Sequence, residues 1–252
     1  SVKKQPCGMG MSACAASSVP IRIGVNGGSL DKRLLEKYSA PTPEALAESA
    51  LEEAEALKSC GFSDIVISIK SSRTADMIKA CRIVSNKSEY PLHIGVTEAG
   101  DEYSGLVKNC VGIGSLLSDG IGDTIRVSLT ADPVREVEAG REILSALGLA
   151  KPSLHIVSCP TCGRTKINLI ELSARFREEA KNFDTHGKDI TVALMGCAVN
   201  GPGEAREADV GIAGGAGDAV LFKKGQIVGK VPEEEIIPRL IHELKDIAEN
   251  SI

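Results

Sequence analysis

Three cysteines and one carboxylate stand close together in two short stretches, Cys159-Pro160-Thr161-Cys162 and Cys197-Ala198-Val199-Asn200-Gly201-Pro202-Gly203-Glu204. Two thiolates spaced Cys-x-x-Cys can hold one metal centre, because the intervening turn puts both sulfurs on the same side. A third thiolate from a separate strand end makes three of the four corners of a tetrahedral or cubane site. No fourth cysteine lies near either stretch. A structural zinc site is closed by four Cys or His ligands, whereas a site that does chemistry keeps one corner open or weakly held. Glu204 is the candidate for that corner, since a hard carboxylate oxygen beside thiolates can give way to another oxygen. On the residues alone, a zinc-stabilised non-catalytic module and a simple iron–sulfur electron carrier remain open readings.

A second set of polar residues recurs at the ends of apolar runs. Arg22 and Asn26 lie on the run Ile21–Val25, Lys70 ends Ile65–Ile69, Glu98 follows Leu92–Val96, and Arg126 and Ser128 lie on Thr124–Leu129. Arg22, Lys70 and Ser128 form an anion-binding set: a forked guanidinium, a point ammonium and a hydroxyl converging on phosphate oxygens. Taken singly, each has a bland explanation as a solvated or paired surface residue. Their shared position on successive strands favours the functional one.

The elements that must position these groups form a repeated βα pattern from Ile21 to Leu147. Thr42-Pro43 caps and opens a helix with Leu46, Ala50, Leu51, Ala54 and Leu57 at helical spacing, stopped at Gly61. Further helices are expected over 74–84, over 104–117 despite Gly112 and Gly114, and from Asp132-Pro133 to Leu147. The last of these should turn Val134, Val137, Leu144 and Leu147 to one face. Four such units make half of a (β/α)8 barrel, whose active face lies at the C-terminal ends of the strands. The two outer strands should carry unpaired edges, with the inner aliphatic faces of Ile65–Ile69 and Thr124–Leu129 uncovered.

A smaller α/β domain should span 151–252. Strands at 154–157 and 190–195 lead into the two cysteine loops, and a helix covers 167–181. Short strands follow near 209–212, 219–222 and 226–228. The terminal helix should face Ile236, Ile237, Leu240, Ile241, Leu244 and Ile247 inward. Residues 1–19 lack bulk and period and are expected to be a disordered lead. His93 and His155 sit in apolar runs and read as core or supporting residues, not ligands.

Composition narrows the class. A formal net charge of −5 argues against a nucleic-acid partner, and no apolar run approaches the length of a membrane span. Trp is absent and aromatics are 3 %, so the core must be aliphatic, as buried parallel strands prefer. Eight cysteines in a long acidic chain without a secretory signal point to a reducing compartment, the cytoplasm. Cys60, Cys81 and Cys110 fall in helical patterns, as small buried hydrophobes do.

Several longer motifs carry a resemblance. Ser158–Arg164, Met195–Ala205 and Asp209–Gly215, with Ile21–Asn26, Val96–Gly100 and Gly122–Leu129 upstream, resemble the 4-hydroxy-3-methylbut-2-enyl diphosphate synthase family over residues 20–252. The resemblance implies the second half of a TIM-type barrel followed by an iron–sulfur domain, the first half of the family's barrel being absent from these residues. It implies a [4Fe–4S] cluster held by Cys159, Cys162, Cys197 and Glu204, with Asn200 hydrogen-bonding nearby. Arg22, Asn26, Lys70, Arg126 and Ser128 would bind a cyclic diphosphate, and Glu98 would stand beside the reacting carbons. It also implies flavodoxin or ferredoxin as electron donor. In the family's homodimer, one subunit's cluster domain covers the other's barrel.

Overall fold

The computed structural model of the chain describes residues 9–150, 153–197 and 205–250. The chain divides into two compact units, residues 1–149 and 150–252.

In the first unit, strands β1 (Ile21–Asn26), β2 (Ile65–Lys70), β3 (Leu92–Ile94) and β4 (Thr124–Ile125) form one parallel sheet in the order β1-β2-β3-β4. Helix α1 is Met9–Ala16 and α2 is Lys32–Tyr38. Helices α3 (Pro43–Ser59), α4 (Thr74–Ser85), α5 (Glu102–Ser118) and α6 (Pro133–Ala146) each follow a strand. Local chemistry explains several starts: Thr42, Asp101 and Asp132 accept backbone N–H bonds at the caps of α3, α5 and α6, and prolines open α3 and α6.

Strand alternation decides what the sheet shows to each side. Ile23, Val25, Ile65, Ile67, Ile69, Leu92 and Ile94 are buried in one core with Leu46, Ala50, Met77, Ala80, Val84, Ile113 and Leu116 from the helices. Each fully buried aliphatic side chain of this kind contributes roughly 1.5–3 kcal/mol by leaving water. Contrary to the sequence expectation, and Val66 apart, the isoleucines Ile65, Ile67 and Ile69 of β2 are covered, at 0–2 % exposure. A period of two sends them all to the helices and leaves Val66, Ser68 and Lys70 for the opposite face. Gly112 lets α5 close on this core, because a Cβ there would sit 2.7 Å from Val96 Cγ2 and 2.8 Å from Met77 Cε.

Other expectations need correction. Residues 9–16, placed in a disordered lead, are helical, and Met11 and Cys14 pack on the core. Helix α2 and the 3-10 turn Gly27–Ser29 were not anticipated. Strands β3 and β4 are shorter than expected, and beyond β3 Glu98 and Gly100 take left-handed backbone angles (φ 53° and 108°) that turn the chain. Arg126 and Ser128 therefore follow β4 instead of lying on it. Helix α6 buries Ala139, Gly140 and Ile143 and exposes Val134, Val137 and Leu147, since its small residues allow the closest approach to the sheet. Cys81 is buried, with its thiol pushed up to about 12 by desolvation, but Cys110 is exposed and Cys60 only partly buried.

In the second unit, β5 (Leu154–Ser158), β6 (Ile190–Met195) and β7 (Val210–Gly214) run parallel, and β8 (Asp218–Lys223) and β9 (Gln226–Pro232) continue the sheet antiparallel. Helices α7 (Leu169–Glu179) and α8 (Ile236–Asn250) share one core with Val192, Leu194, Ile212 and Leu221. Ile236, Ile237, Leu240 and Leu244 are buried there, and Ile241 and Ile247 partly so. Ala193, Met195, Ala205, Ala208, Ala213 and Phe222 form a second small core. His155 is half-exposed, with Nε2 3.3 Å from Asp189, because edge strand β5 is covered less than its apolar run suggests.

Candidate functional site

The face of the first sheet turned away from the helices is polar. Register aligns Asn26 with Lys70, Ser68 with His93, and His93 with Thr124. Arg22 stands on β1 and Arg126 follows β4. Burial first, then Arg126 and Arg22, hold the Lys70 ammonium below its ordinary range, so the three cations face one another closely enough to repel. Among the described residues none of the three has an ion-pair partner. Such a concentration of uncompensated positive charge is what a multiply charged anion requires.

Three buried side-chain atoms on this face lack hydrogen-bond partners: Ser68 Oγ, His93 Nε2 and Arg126 Nε. Buried polar atoms are normally satisfied, and exceptions call for a cause such as a ligand. His93 is buried as expected, but among these cations and not in the aliphatic core. Desolvation, then Arg22, Lys70 and Arg126, push its imidazole down to about 4. Its Nδ1 lies 2.8 Å from Thr124 Oγ1.

The loops around this face are pinned from behind. Asn109 of α5, fully buried, donates from Nδ2 to Ser128 O at 3.0 Å and accepts from Ser128 N at 3.4 Å. Lys108 Nζ donates to Ala99 O at 2.8 Å, and Glu136 Oε1 accepts from Leu129 N at 2.8 Å. Sequence reasoning missed Asn109 and Ser68. The available signal for Asn109 was a poor helix former in the interior of a helix, which favours an alternative hydrogen bond. Asn26 is partly engaged: its Oδ1 accepts from Gly28 N and Ser29 N, leaving Nδ2 for another partner. Glu98 is exposed, in its left-handed conformation, a strain of order 1–2 kcal/mol that the pinned loop must hold.

Gly95 is the tightest point between the last two strands. A Cβ at this position would lie 2.3 Å from Arg126 O, so only glycine lets the chain carrying Arg126 close on β3.

In the second unit the cysteines lie beyond the C-terminal ends of neighbouring parallel strands, Cys159 after β5 and Cys197 after β6. Gly196 N donates to Cys159 Sγ at 3.2 Å, and Lys166 N donates to Gly196 O at 2.9 Å, which ties the two loops together. The Arg164 N–H, followed by Thr165, favours the Cys162 thiolate, and burial opposes it only partly. N–H donors aimed at sulfur are the surroundings thiolate ligands need. Among the described residues, however, no three Cys, His, Asp or Glu side chains come together as a metal-holding group, so the gathering of Cys159, Cys162 and Cys197 expected from spacing is not seen. The spacing places the sulfurs at one end of the sheet, but side-chain rotamers and loop path set their separation. Asn200 and Glu204 lie outside the described residues. The donor set still fits a cluster: three thiols at one sheet end, two of them already met by N–H donors.

A parallel βα sheet with cations at its strand ends, joined to a mixed α/β unit with thiols at its strand ends, defines a barrel-type α/β protein with a cysteine-bearing companion domain. Residues 3–141 match the GcpE TIM-barrel domain and residues 155–246 the GcpE protein C-terminal domain. The chain belongs to the GcpE family. It is 54 % identical over 237 residues to a Clostridium perfringens protein, covering 94 % of this chain and 67 % of the relative. A Clostridium tetani protein is 56 % identical over 229 residues, covering 91 % and 65 %, and a Geobacter sulfurreducens protein is 53 % identical over 237, covering 94 % and 66 %. Each bears the name 4-hydroxy-3-methylbut-2-en-1-yl diphosphate synthase (flavodoxin). The chain spans about two thirds of the length of these curated relatives.

Proposed function

We propose that these residues serve the reductive ring opening of 2-C-methyl-D-erythritol 2,4-cyclodiphosphate to (E)-4-hydroxy-3-methylbut-2-enyl diphosphate. The observation that carries this reading is the uncompensated cationic face of Arg22, Lys70 and Arg126 beside unpartnered buried polar atoms. Arg22 and Lys70 bind diphosphate oxygens, Arg126 completes the set, and Ser128 and Asn26 Nδ2 orient the ring. Glu98, raised on its pinned loop, holds a proton beside the carbon skeleton. Cys159, Cys162 and Cys197 would hold a [4Fe–4S] cluster, with Glu204 as the exchangeable fourth ligand and Asn200 hydrogen-bonding beside it. When bound, that cluster supplies electrons one at a time and a Lewis-acidic iron for the departing oxygen. The reaction consumes two electrons and releases the oxygen as water.

Electron delivery by flavodoxin or ferredoxin, a cytoplasmic location, and a homodimer with one subunit's cysteine-bearing unit over its partner's barrel belong to the same proposal. The net charge of −5 supports the absence of a nucleic-acid partner. Among the described residues no helix is long and apolar enough to cross a membrane. Anaerobic purification followed by iron, sulfide and zinc analysis tests the reading. About four irons per chain are expected from cubane stoichiometry. Stoichiometric zinc without sulfide would replace it with a zinc-stabilised module.

A further inference from the structure

The imidazole of His93 has no role in the reading above, yet it sits in the middle of the cationic face. It is 8 % exposed and aligned with Ser68 on one side and Thr124 on the other. Its Nδ1 is engaged by Thr124 Oγ1, while Nε2 is buried without a partner, as are Ser68 Oγ and Arg126 Nε. Three polar atoms, from β2, β3 and the segment after β4, thus remain unsatisfied on one face.

The charged groups facing His93 are Arg22 from β1, Lys70 from the end of β2 and Arg126 from the segment after β4. Asp123, just before β4, uses Oδ2 to accept from Leu92 N at 2.7 Å and does not figure among the groups acting on the imidazole. Without an anion, then, a proton on Nε2 meets three positive charges and, among the described residues, no negative one. A bound diphosphate reverses that sign.

We propose that His93, with Ser68, forms the floor of the anion site and is an anion-linked proton acceptor. In the free protein Nδ1–H donates to Thr124 Oγ1 and Nε2 is bare. When a diphosphate neutralises Arg22, Lys70 and Arg126, Nε2 takes one proton from water and donates a hydrogen bond to a phosphate oxygen, beside the Ser68 hydroxyl. Binding and protonation strengthen each other, so the imidazole midpoint rises from about 4 toward neutrality as the site fills. This inference rests on the diphosphate-site reading and adds a residue that holds the anion without contributing permanent charge. The reason for a neutral group is physical: a fourth fixed cation would deepen the repulsion already lowering Lys70.

The test is imidazole NMR on the 252-residue chain labelled at histidine, where only four histidines need assignment, with inorganic pyrophosphate as the probe. Free, the His93 signals should remain those of a neutral ring from pH 8 to about 5. With saturating pyrophosphate its midpoint should rise by at least one pH unit, each unit corresponding to tenfold tighter binding at low pH. Pyrophosphate itself titrates, so affinities of the wild type and His93→Gln are compared across the same pH series. Wild type should gain affinity on acidification beyond His93→Gln, while Ser68→Ala should weaken binding at every pH. Pyrophosphate that binds more weakly to Lys70→Met but leaves the His93 titration unmoved would overturn the role of His93 and leave the anion site standing. Failure of pyrophosphate to bind at all would remove the anion site and this inference together.

Discussion

The two sites are built in opposite ways. In the first unit Arg22, Ser68, Lys70 and His93 ride on strands whose register is locked by backbone hydrogen bonds, and Asn109, Lys108 and Glu136 of α5 and α6 hold the loops that carry Glu98 and Ser128. In the second unit the strands bring two loops to one end, and hydrogen bonds tie the loops, but among the described residues no three ligand side chains gather. On the proposed reading, cations held by strand register form a preorganised anion site, whereas thiols on loops would rely on the bond to a metal to draw them in.

The sharpest break in that contrast comes from the ligands. Cys159→Ser, Cys162→Ser or Cys197→Ser should abolish iron binding, whereas Glu204→Ala should keep iron, since three thiolates remain, and lose most turnover. Iron analysis alongside activity separates the two classes. Normal turnover by Glu204→Ala would end the exchangeable-corner reading.

Next in size is Gly95→Ala. With Arg126 O 2.3 Å from the new methyl, the segment after β4 must move. A loss of roughly 1–3 kcal/mol of stability is expected for such overpacking, with pyrophosphate binding reduced as Arg126 shifts. Thermal unfolding should show the loss confined to the first unit. An unchanged melting profile would mean that the tight approach is not a constraint.

Removing single cations tests preorganisation directly. Lys70→Met or Arg22→Met should each weaken pyrophosphate by about one to two orders of magnitude, from about 1.5–3 kcal/mol per charge-assisted contact. Titration calorimetry at two salt concentrations would also show a shallower salt dependence. Equal affinity for wild type and Lys70→Met would place the anion elsewhere.

The smallest effect should be acid destabilisation of the second unit through Glu243. Its carboxylate is 2 % exposed; burial would raise its pKa, but Lys223, then Arg239 and His242, more than offset this and hold it below the ordinary 4.5. A depressed carboxylate contributes stability that is complete above the unfolded value and lost as pH falls through the folded one. Unfolding of this unit should therefore become easier below about pH 4.5, and Glu243→Gln should flatten that dependence. A pH profile identical to wild type would assign the acid sensitivity to other groups.

Much was readable before any coordinates. The βα period, the caps at Thr42 and Asp132, and the long motifs around the cysteines depend on neighbours in the chain, where propensity and capping act. The position of candidate residues at strand ends followed from the same local pattern. Only the tertiary structure decided what depends on register between distant strands: that Arg22, Lys70 and Arg126 face one another without a carboxylate, and that His93 lies among them. It also showed Asn109 reaching Ser128 and α6 burying Ala139 and Gly140 in place of its valines. The reason is that a strand's pattern says which residues share a face, while hydrogen-bond register and helix approach decide which residue on the next strand they meet.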